Sequence, residues 1–585
     1  MFLAITALED FWDASKEILF LGSWCPASCH STAGFERPYH LMPSPWDDRE
    51  RYYRAAAYVD ACSEALLREL SHYLNGVHGT NHSERYWRIV LGPWLILYTS
   101  IIYDRFVHLK AAFAEYRDLE TIGMLESSYR VPSNFNEAAS FVEHDPYNLQ
   151  IFSQLLKLLN HSFTRKPFRG SFGGPSKNAT LPRERVLRFS ERLMRFPFQS
   201  RAKVTVRGTS LSPVQSWKLA WATGFQALPL DFSLVPRSVD HTAVFNKARL
   251  GLSELPSKDE FQHMLIVLLP THFPTLYLEG YRVAHARISK VRCTPLLMSG
   301  YAWYGDEEMK LYAARATEGK SCLVSVQHGG GYGVYRCAPY EIHERRLADH
   351  FLSWGWADDR KNNSNIVNPR FYELQRKVRH RMAGKNILFV ATGQPRYLYR
   401  FHSCPAGSQW DGYFDWQVRF FTKLPADLQS FVRYRPYPIN YGHAGEFRVQ
   451  RSFPTLKWEA SSGVVWNKLI EARIVIIDHL GTTLLETLAG NIPTILFWDP
   501  QRWEVRDEAQ RYFERLRQAQ ILWHSPEGAA EKLLDAYTDP GRWWNSDLVQ
   551  SARGEFVSRH ALTKENWVST WAENLENIAA AGFNE

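Results

Sequence analysis

The sequence predicts an α/β fold with two Rossmann-like domains that face a cleft and with helical insertions in the N-terminal domain. Two stretches indicate this fold. Residues 474–497 are typical of a strand, a glycine-containing turn, a helix and a strand, and residues 321–333 are typical of a strand that ends in a glycine-rich loop. Ligands of open α/β sheets bind beyond the carboxyl ends of the strands. We therefore expect both loops to border the cleft.

The amino-acid composition and the net charge limit the classes of protein to which the chain can belong. The chain has 585 residues, 45% hydrophobic and 22% charged, which is typical of a globular protein with two or three domains. The net charge of +8 favours anionic ligands or an anionic membrane surface. There is no basic tail or block of the kind that nucleic-acid-binding proteins carry, so we expect no nucleic-acid partner.

The N-terminus and the cysteines indicate a cytoplasmic protein. The first residues include Glu9 and Asp10 and lack the basic and apolar regions of a signal peptide. Cys25 and Cys29 lie four residues apart, but no second pair or histidine cluster completes a zinc site. We therefore expect reduced thiols, no metal and, at most, peripheral contact with the inner membrane.

The N-terminal region is predicted to be rich in helices. Residues 17–21 are predicted as the first strand, and helical periodicity extends over residues 48–74, 84–115 and 137–159. Residues 89–103 are the most apolar run. Because that run is shorter than the ~20 residues of a spanning helix and contains Gly92-Pro93, we expect a core helix that is interrupted there.

The first parallel sheet is predicted from short apolar segments. Residues 203–207 and 295–299 are predicted strands, and residues 306–318 a helix that Gly319 ends. The strand 321–326 runs directly into QHGGGYG, where glycines allow backbone N–H groups to approach a ligand closely. The alternative is a glycine-rich turn with a hydrogen-bonded histidine. The predicted binding residues of this loop are Gln327, His328, Gly329, Gly330, Gly331 and Tyr332.

Residues 363–385 are predicted to be a linker, and a second sheet follows it. Residues 385–390 and 431–435 are predicted strands, and Arg433 and Arg435 share one face of the second by alternation. A guanidinium at a strand end can hold a phosphate through two hydrogen bonds. Two solvated arginines on a surface strand are the alternative.

The turn after strand 474–477 is the strongest phosphate candidate. Thr482 and Thr483 stand where a helix begins, able to cap its free N–H groups. The partial positive charge of a helix N-terminus suits a phosphate. An ordinary βαβ crossover with threonine caps and no ligand is equally consistent with this pattern.

Two Rossmann-like domains around a cleft are the architecture of GT-B glycosyltransferases, in which the C-terminal domain binds a nucleotide-sugar. Five segments add a more specific resemblance: LGPWLILYTSIIYDR, QHGGGYG, HERRLADHFLSWGW, VRYRPYPINYG and GTTLLETLAGNIPTI. In this order they resemble a family of transferases from bacterial surface-polysaccharide gene clusters. That family is similar to capsule-type transferases that use CMP-activated ulosonic acids such as Kdo, pseudaminic or legionaminic acid.

The resemblance implies an acceptor-binding domain at residues 1–385 and a donor-binding domain at residues 386–585, with last helices that can pack back on the first domain. In the related enzymes a His-Pro pair and a Ser/Thr pair at a helix start hold the CMP phosphate. Thr482 and Thr483 match the second pair, whereas Arg435-Pro436 stands at the position of the first. An arginine is not a tunable acid, so protonation of the leaving group has no assigned residue. The donor-binding set predicted in this way is Gln327, Gly329, Gly330, Gly331, Tyr332, Arg433, Arg435, Pro436, Asp478, Gly481, Thr482, Thr483 and Glu486.

Transfer also needs a group that takes the acceptor hydroxyl's proton, or a carboxylate that forms a covalent intermediate. The candidates are Glu279, His328, Glu341 and Glu344, and each glutamate has a surface charge as its alternative. The predicted partners are a CMP-sugar donor and a glycan or lipid-linked glycan acceptor, with no cofactor. A GT-B enzyme that uses UDP-sugar, GDP-sugar or CDP-alditol donors, and a non-catalytic polysaccharide-assembly protein, stay open.

Overall fold

The computed structural model describes residues 1–26, 39–173, 196–229, 247–358, 362–379, 384–460 and 465–582. Cys29 lies outside these ranges. Within them the chain forms two large parallel sheets, and the sequence-predicted α/β class with two sheets facing a cleft is confirmed. The helices are α1 Arg49–His78, α2 Glu84–Glu115, α3 Phe135–Val142, α4 Asp145–Leu158, α5 Pro213–Ala222, α6 Lys247–Gly251, α7 Glu260–His272, α8 Tyr281–Ile288, α9 Ala302–Gly305, α10 Glu307–Glu318, α11 Pro339–Leu347, α12 Pro369–Val378, α13 Gln409–Thr422, α14 Ala426–Gln429, α15 Ala444–Ser452, α16 Trp466–Glu471, α17 Thr482–Ala489, α18 Asp507–Gln518, α19 Pro526–Tyr537, α20 Pro540–Trp544, α21 Asp547–His560 and α22 Trp567–Gly582.

The N-terminal region adds two small parallel sheets to its helices. The order β1-β2-β3 forms one sheet, and β4 pairs with β5. The sequence analysis predicted only the second of these strands, because three-residue strands carry too little alternation to be recognised. Their bounds are β1 Phe2–Ala4, β2 Ile18–Phe20, β3 Tyr39–Leu41, β4 Ile122–Met124 and β5 Thr164–Lys166.

The first large sheet has the strand order β11-β10-β9-β8-β6-β7, and all of its pairs are parallel. Its central strands are buried, which agrees with their continuous apolar sequences. The strands are β6 Val204–Arg207, β7 Ala227–Pro229, β8 Leu296–Ser299, β9 Cys322–Val326, β10 His350–Ser353 and β11 Asn363–Asn365.

The second large sheet has the order β14-β13-β12-β15-β16-β17, again fully parallel. It is a doubly wound sheet whose strand order reverses between β12 and β15, the place where such sheets bind ligands. The strands are β12 Ile387–Val390, β13 Val432–Arg435, β14 Lys457–Trp458, β15 Ile474–Ile477, β16 Thr494–Phe497 and β17 Leu522–Trp523.

Helix α2 runs without a break through Gly92-Pro93, so the predicted interruption there is wrong. The helix is buried over most of its length. A Cβ atom on Gly92 would lie 2.2 Å from the His343 imidazole, so glycine lets α11 pack directly on α2. Within the described residues no helix is both long enough and apolar enough to cross a membrane.

Backbone contacts connect the two large sheets' regions. The Arg336 N–H donates to Glu504 at 3.0 Å, and the Arg506 N–H donates to Val334 at 2.9 Å, around an antiparallel bridge between Tyr335 and Val505. The last helices return to the first sheet. The Leu562 N–H donates to the Trp354 carbonyl, and the Trp571 indole donates to the Val367 carbonyl at 2.8 Å.

Candidate active site

A cleft of about 650 Å³ lies between the carboxyl ends of the two large sheets. It is bordered by the segments that follow β9, β12, β13 and β15. The switch point of the second sheet therefore opens into the cleft, as expected for a ligand site of this architecture. Of the predicted residues, the cleft is lined by His328, Gly329, Gly330, Gly331, Tyr332, Arg435, Pro436, Gly481, Thr482 and Thr483.

The glycine loop after β9 touches the turn after β15. The Gly330 N–H donates to Thr482 Oγ1 at 3.1 Å, and the Tyr335 hydroxyl donates to the Leu480 carbonyl at 2.5 Å. A Cβ atom on Gly330 would lie 2.4 Å from the Gly481 carbonyl carbon. The sequence predicted that glycine lets this loop approach a ligand; at Gly330 it lets the loop approach the other sheet's turn.

Helix α17 begins without a side-chain cap. Gly481 is its N-cap residue, and Thr482 and Thr483 are its first two helical residues, so the expectation that the threonines cap the helix is wrong. The threonines line the cleft at the helix start. The N-terminal N–H groups are thus left for an anion, which the positive end of the helix also attracts.

Two arginines add positive charge to the cleft. Arg435 ends β13, lines the cleft and donates from Nη1 to the Ala460 carbonyl at 3.2 Å. Arg400 comes from the segment after β12, and its guanidinium lies over the rings of Tyr340 and Tyr399 at 4.7 and 4.8 Å. Arg400 Nε is buried without a hydrogen-bond partner among the described residues.

A buried carboxylate orients a second histidine at the phosphate-binding turn. Asp478 is 2% exposed, accepts from Gln417 Nε2 at 2.6 Å and lies 3.1 Å from His479 Nδ1. His479 lines the cleft, and a Cβ atom on Gly481 would lie 3.1 Å from its Nε2. Asp478 was predicted to contact the donor. It lies behind the cleft instead and reaches the cleft only through its partner His479.

His328 is held by a buried hydrogen-bond chain. The Tyr332 hydroxyl lies 3.0 Å from His328 Nδ1 and donates to Glu344 Oε1 at 2.7 Å, and the Ser325 hydroxyl donates to the other oxygen of Glu344 at 3.1 Å. Burial, with the positive charge of Arg400 as a smaller cause, lowers the pKa of His328 to about 4. His328 is therefore neutral near pH 7 and able to accept a proton.

Glu344 is the fully buried member of this chain. Burial raises the pKa of its carboxyl well above the usual value, and the hydrogen bonds from Tyr332 and Ser325 offset only part of that rise. Tyr332 lies between Glu344 and His328, so Glu344 reaches a ligand in the cleft only through these two side chains. It does not itself line the cleft.

Gln327 and Glu341 have partners within the fold. Gln327 is 1% exposed, and its Oε1 accepts from the Trp354 N–H and the Trp356 indole, each at 2.8 Å. Glu341 binds the Arg506 guanidinium with both oxygens, at 3.1 and 2.9 Å, which connects α11 to the second sheet's region. Both side chains are thus structural and lie outside the cleft.

Glu279, Arg433 and Glu486 also lie outside the cleft. Glu279 forms a two-point ion pair with Arg249 at 2.6 Å for each contact. Arg433 Nε lies 3.8 Å from a Glu459 oxygen, beside the edge strand β14. Glu486 accepts from the Trp466 indole at 3.0 Å, and burial raises the pKa of its carboxyl. None of these three side chains lines the cleft.

Several cleft residues were missed by the sequence analysis. Residues 390–392 and Gln394 follow the central strand β12, and the rule for strand ends was a sufficient signal for them. The side chains that come from loops and from the helices α9 and α11 gave no signal, since no motif marks them. They are Tyr304, Tyr335, Tyr340, Arg400, His402, Tyr437 and Trp503.

In the part of the chain that the structure describes, there is neither a metal-binding cluster nor a pair of bonded cysteines. No three His, Cys, Asp or Glu side chains converge there in a way that holds a metal ion. The described cysteines, Cys25, Cys62, Cys293, Cys322, Cys337 and Cys404, are free thiols.

Comparison with protein families gives one match. A model described as the LIC12162 family transferase matches residues 1–575. No curated protein matches the chain.

Solved structures similar to the chain share 10–12% sequence identity with it over about two thirds of its length. Staphylococcus aureus MnaA with UDP is 11% identical, with 65% of this chain and 96% of that chain covered and a TM-score of 0.37. WaaG, a glycosyltransferase involved in lipopolysaccharide biosynthesis, is 12% identical over 64% and 99% of the two chains, with a TM-score of 0.28. The spinosyn forosaminyltransferase SpnP is 11% identical over 65% and 99%, with a TM-score of 0.29.

Proposed function

The chain belongs to the LIC12162 family of transferases, and from that premise we propose that it is a glycosyltransferase that moves an ulosonic acid from a CMP-activated donor to a glycan acceptor. Kdo, pseudaminic acid and related nonulosonic acids are the donor sugars proposed, and surface-polysaccharide biosynthesis is the proposed setting. One observation carries this proposal. A single cleft joins an uncapped helix start and two arginines to a neutral histidine.

The positive groups suit the CMP phosphate and the donor's own carboxylate. The amides at the start of α17 and the Arg435 guanidinium are placed to bind the phosphate. Arg400, with its Nε unpaired, is placed to bind a second anion in the same cleft. A CMP-ulosonate carries two anionic groups, the phosphate and the carboxylate. The diphosphate of a UDP-sugar or GDP-sugar also supplies two charges, so the ligand screen below distinguishes these donors.

Transfer breaks the bond between the anomeric carbon and the phosphate oxygen of CMP, and the electron pair leaves with the phosphate. The acceptor oxygen forms the new bond to the anomeric carbon, and its proton passes to a ring nitrogen of His328. Charge that develops on the departing phosphate is stabilised by Arg435 and the helix amides. His479, oriented by Asp478, supplies the proton-donating acid that an arginine at position 435 cannot be.

A ligand screen tests the donor class. The full chain is heated with CMP, CDP, UDP or GDP, and the unfolding midpoint is followed. We expect CMP and CDP to stabilise the protein more than UDP or GDP. Stabilisation by UDP or GDP alone indicates the other nucleotide-sugar donors, and no stabilisation by any nucleotide indicates a non-catalytic assembly protein. Transfer from a CDP-alditol also releases CMP, so that donor is distinguished by turnover of a CDP-alditol in place of a CMP-ulosonate.

Metal independence is part of the proposal, because arginines and helix amides already supply the positive charge that a metal ion would bring. Turnover of a CMP-ulosonate, measured as CMP release, is expected to be unchanged by EDTA. If EDTA abolishes turnover and added Mg²⁺ or Mn²⁺ restores it, metal independence is wrong, whereas the proposed donor class is unaffected.

A further inference from the structure

A second cavity, of about 670 Å³, opens beside the proposed donor cleft. It lies at the carboxyl ends of β6 and β8, and His328 lines both cavities. A histidine at this position reaches a group in either space. An acceptor hydroxyl in the second cavity is therefore presented to the same imidazole that faces the donor cleft.

The walls of the second cavity are fixed by backbone contacts. The N–H groups of Gly300 and Tyr301 donate to the Gly208 carbonyl at 3.1 and 3.0 Å. Gly208 has a φ of +63°, and a Cβ atom there would lie 2.7 Å from the Ala302 Cβ. A Cβ atom on Gly300 would lie 3.1 Å from the His328 Cβ. The loop that follows β8 is thus held between His328 and the loop that follows β6.

Polar and aromatic groups of this cavity suit a saccharide. Ser210 Oγ is buried and has no hydrogen-bond partner among the described residues, which is costly unless a ligand supplies one. Tyr301 is 57% exposed, and its ring lies 6.3 Å from the His328 ring, centre to centre. An exposed aromatic ring beside a hydroxyl group without a partner suits the face and the hydroxyls of a sugar.

The charges of the cavity favour an anionic sugar. Arg370 and Lys377 lie over the Trp466 ring, at 5.2 and 5.5 Å from its centre. Glu373, the acidic side chain on the same wall, already accepts from Gln215 Nε2 at 2.8 Å. Arg370 Nη2 also lies 3.4 Å from Glu486 Oε1, so Arg370 is already ion-paired. Lys377, exposed at the rim of the cavity and without an ion pair among the described residues, is the cation that remains for a ligand.

We propose that this second cavity is the acceptor subsite and that it takes a saccharide carrying a carboxylate or a phosphate ester. The Ser210 hydroxyl and the Tyr301 ring contact the sugar, and Lys377 contacts the anionic group. His328 then receives the proton of the hydroxyl that attacks the donor. The inference rests on the proposed glycosyl transfer for its role as an acceptor site, whereas anionic saccharide binding is measurable without turnover.

The test uses three sugars as probes, because the natural acceptor is unidentified. Methyl β-D-glucoside, methyl β-D-glucuronide and glucose 1-phosphate are titrated into the full chain, and Kd is measured by saturation-transfer NMR. We expect at least one anionic sugar to bind about fivefold more tightly than the glucoside, the size expected for a partly exposed ionic contact. Glucuronide and phosphate distinguish a carboxylate from a phosphate ester.

Two lysine variants locate the effect. Lys377→Glu is expected to abolish the preference for anionic sugars, and Lys290→Glu, an exposed lysine that lines neither cavity, is expected to keep it. Ser210→Ala is expected to weaken all three sugars alike. An equal Kd for the neutral and anionic sugars, no binding at tens of millimolar, or a preference that survives Lys377→Glu overturns the proposal.

CMP titration of the same proteins separates this inference from the proposed function. CMP stabilisation with no saccharide preference overturns the acceptor subsite alone. A saccharide preference that depends on Lys377, without stabilisation by any nucleotide, overturns the glycosyl transfer and supports an anionic saccharide-binding site.

Discussion

The two loops that meet in the cleft contribute in different ways. In the glycine loop after β9, the backbone contacts the opposite turn and one side chain, His328, faces the cleft. In the turn after β15, backbone N–H groups of the α17 start remain for a ligand, and the acidic side chains Asp478 and Glu486 are engaged behind it. In the proposed transfer, the first loop provides the base and the second provides the site for the anion.

Two similar loops at strand ends thus have different roles in the proposed reaction, one in accepting a proton and the other in binding an anion. An imidazole accepts a proton only in its neutral form, and the partial burial of His328 lowers its pKa to about 4. An anion is attracted by positive charge, which at the second loop comes from helix amides and arginines. Each prediction below changes one member of this pair.

The largest effect is expected from His328→Ala. Loss of the general base should lower turnover of a CMP-ulosonate by about 10²- to 10⁴-fold, because no other neutral imidazole borders both cavities among the described residues. CMP affinity should change little, since the phosphate binds on the opposite side. His263→Ala, on the exposed face of α7, is the control. Turnover within a few-fold of wild type would remove His328 from the chemistry.

The second effect is on the contact between the loops. In Gly330→Ala the new methyl group would meet Gly481 at 2.4 Å, so the loops must separate. We expect a loss of about 1–3 kcal/mol in the free energy of unfolding, together with weaker CMP binding. Gly329→Ala is the matched control, because its nearest neighbour, the Tyr332 ring, would be at 3.5 Å. Thermal unfolding with and without CMP measures both, and equal stability of the two variants would show that the loops do not depend on each other.

The sequence predicted most of the sheets but less of the site. Strands such as Ile474–Ile477 are apolar runs between turn residues, and their positions follow from burial alone. Gly481, Thr482, Thr483 and His328 were found because they follow such strands directly. The rule that residues directly after a strand face the cleft is wrong for Gln327 and Asp478. Whether a side chain at a strand end faces the cleft or the core depends on its packing against other elements.

The carboxylates show a second limit. Glu341, Glu344 and Glu279 have the residue type that the chemistry requires, yet each is bound within the fold, to Arg506, to Tyr332 and to Arg249. These partners lie up to 165 residues away along the chain. Arg400 was missed for the corresponding reason, because it has no motif, and only the folded chain brings it to the cleft.

A smaller effect is expected at Thr482. Thr482→Val keeps the shape of the side chain but removes the Oγ1 acceptor of the Gly330 N–H. We expect a loss of about 1 kcal/mol in the free energy of unfolding, the size of one hydrogen bond whose partner stays partly buried. Thr482→Ser keeps the hydroxyl and should be close to wild type, apart from the lost methyl group. A Thr482→Ser variant as unstable as Thr482→Val would attribute the effect to packing.

The smallest expected effect is the pH dependence of turnover. It distinguishes a His328 whose pKa is lowered from an exposed imidazole with an ordinary pKa. Burial lowers the pKa of His328 to about 4 in the free protein. With that pKa only about 3% of the imidazole is protonated at pH 5.5, so kcat/KM for a CMP-ulosonate should stay nearly constant from pH 7.5 to 5.5. With the unperturbed pKa of about 6.5, the neutral fraction would fall about tenfold over the same range. Far-UV circular dichroism at each pH verifies that the chain stays folded. A decline with a midpoint near pH 6.5 in folded protein would mean that the base is not the buried His328, and that the division between the two loops described here is wrong.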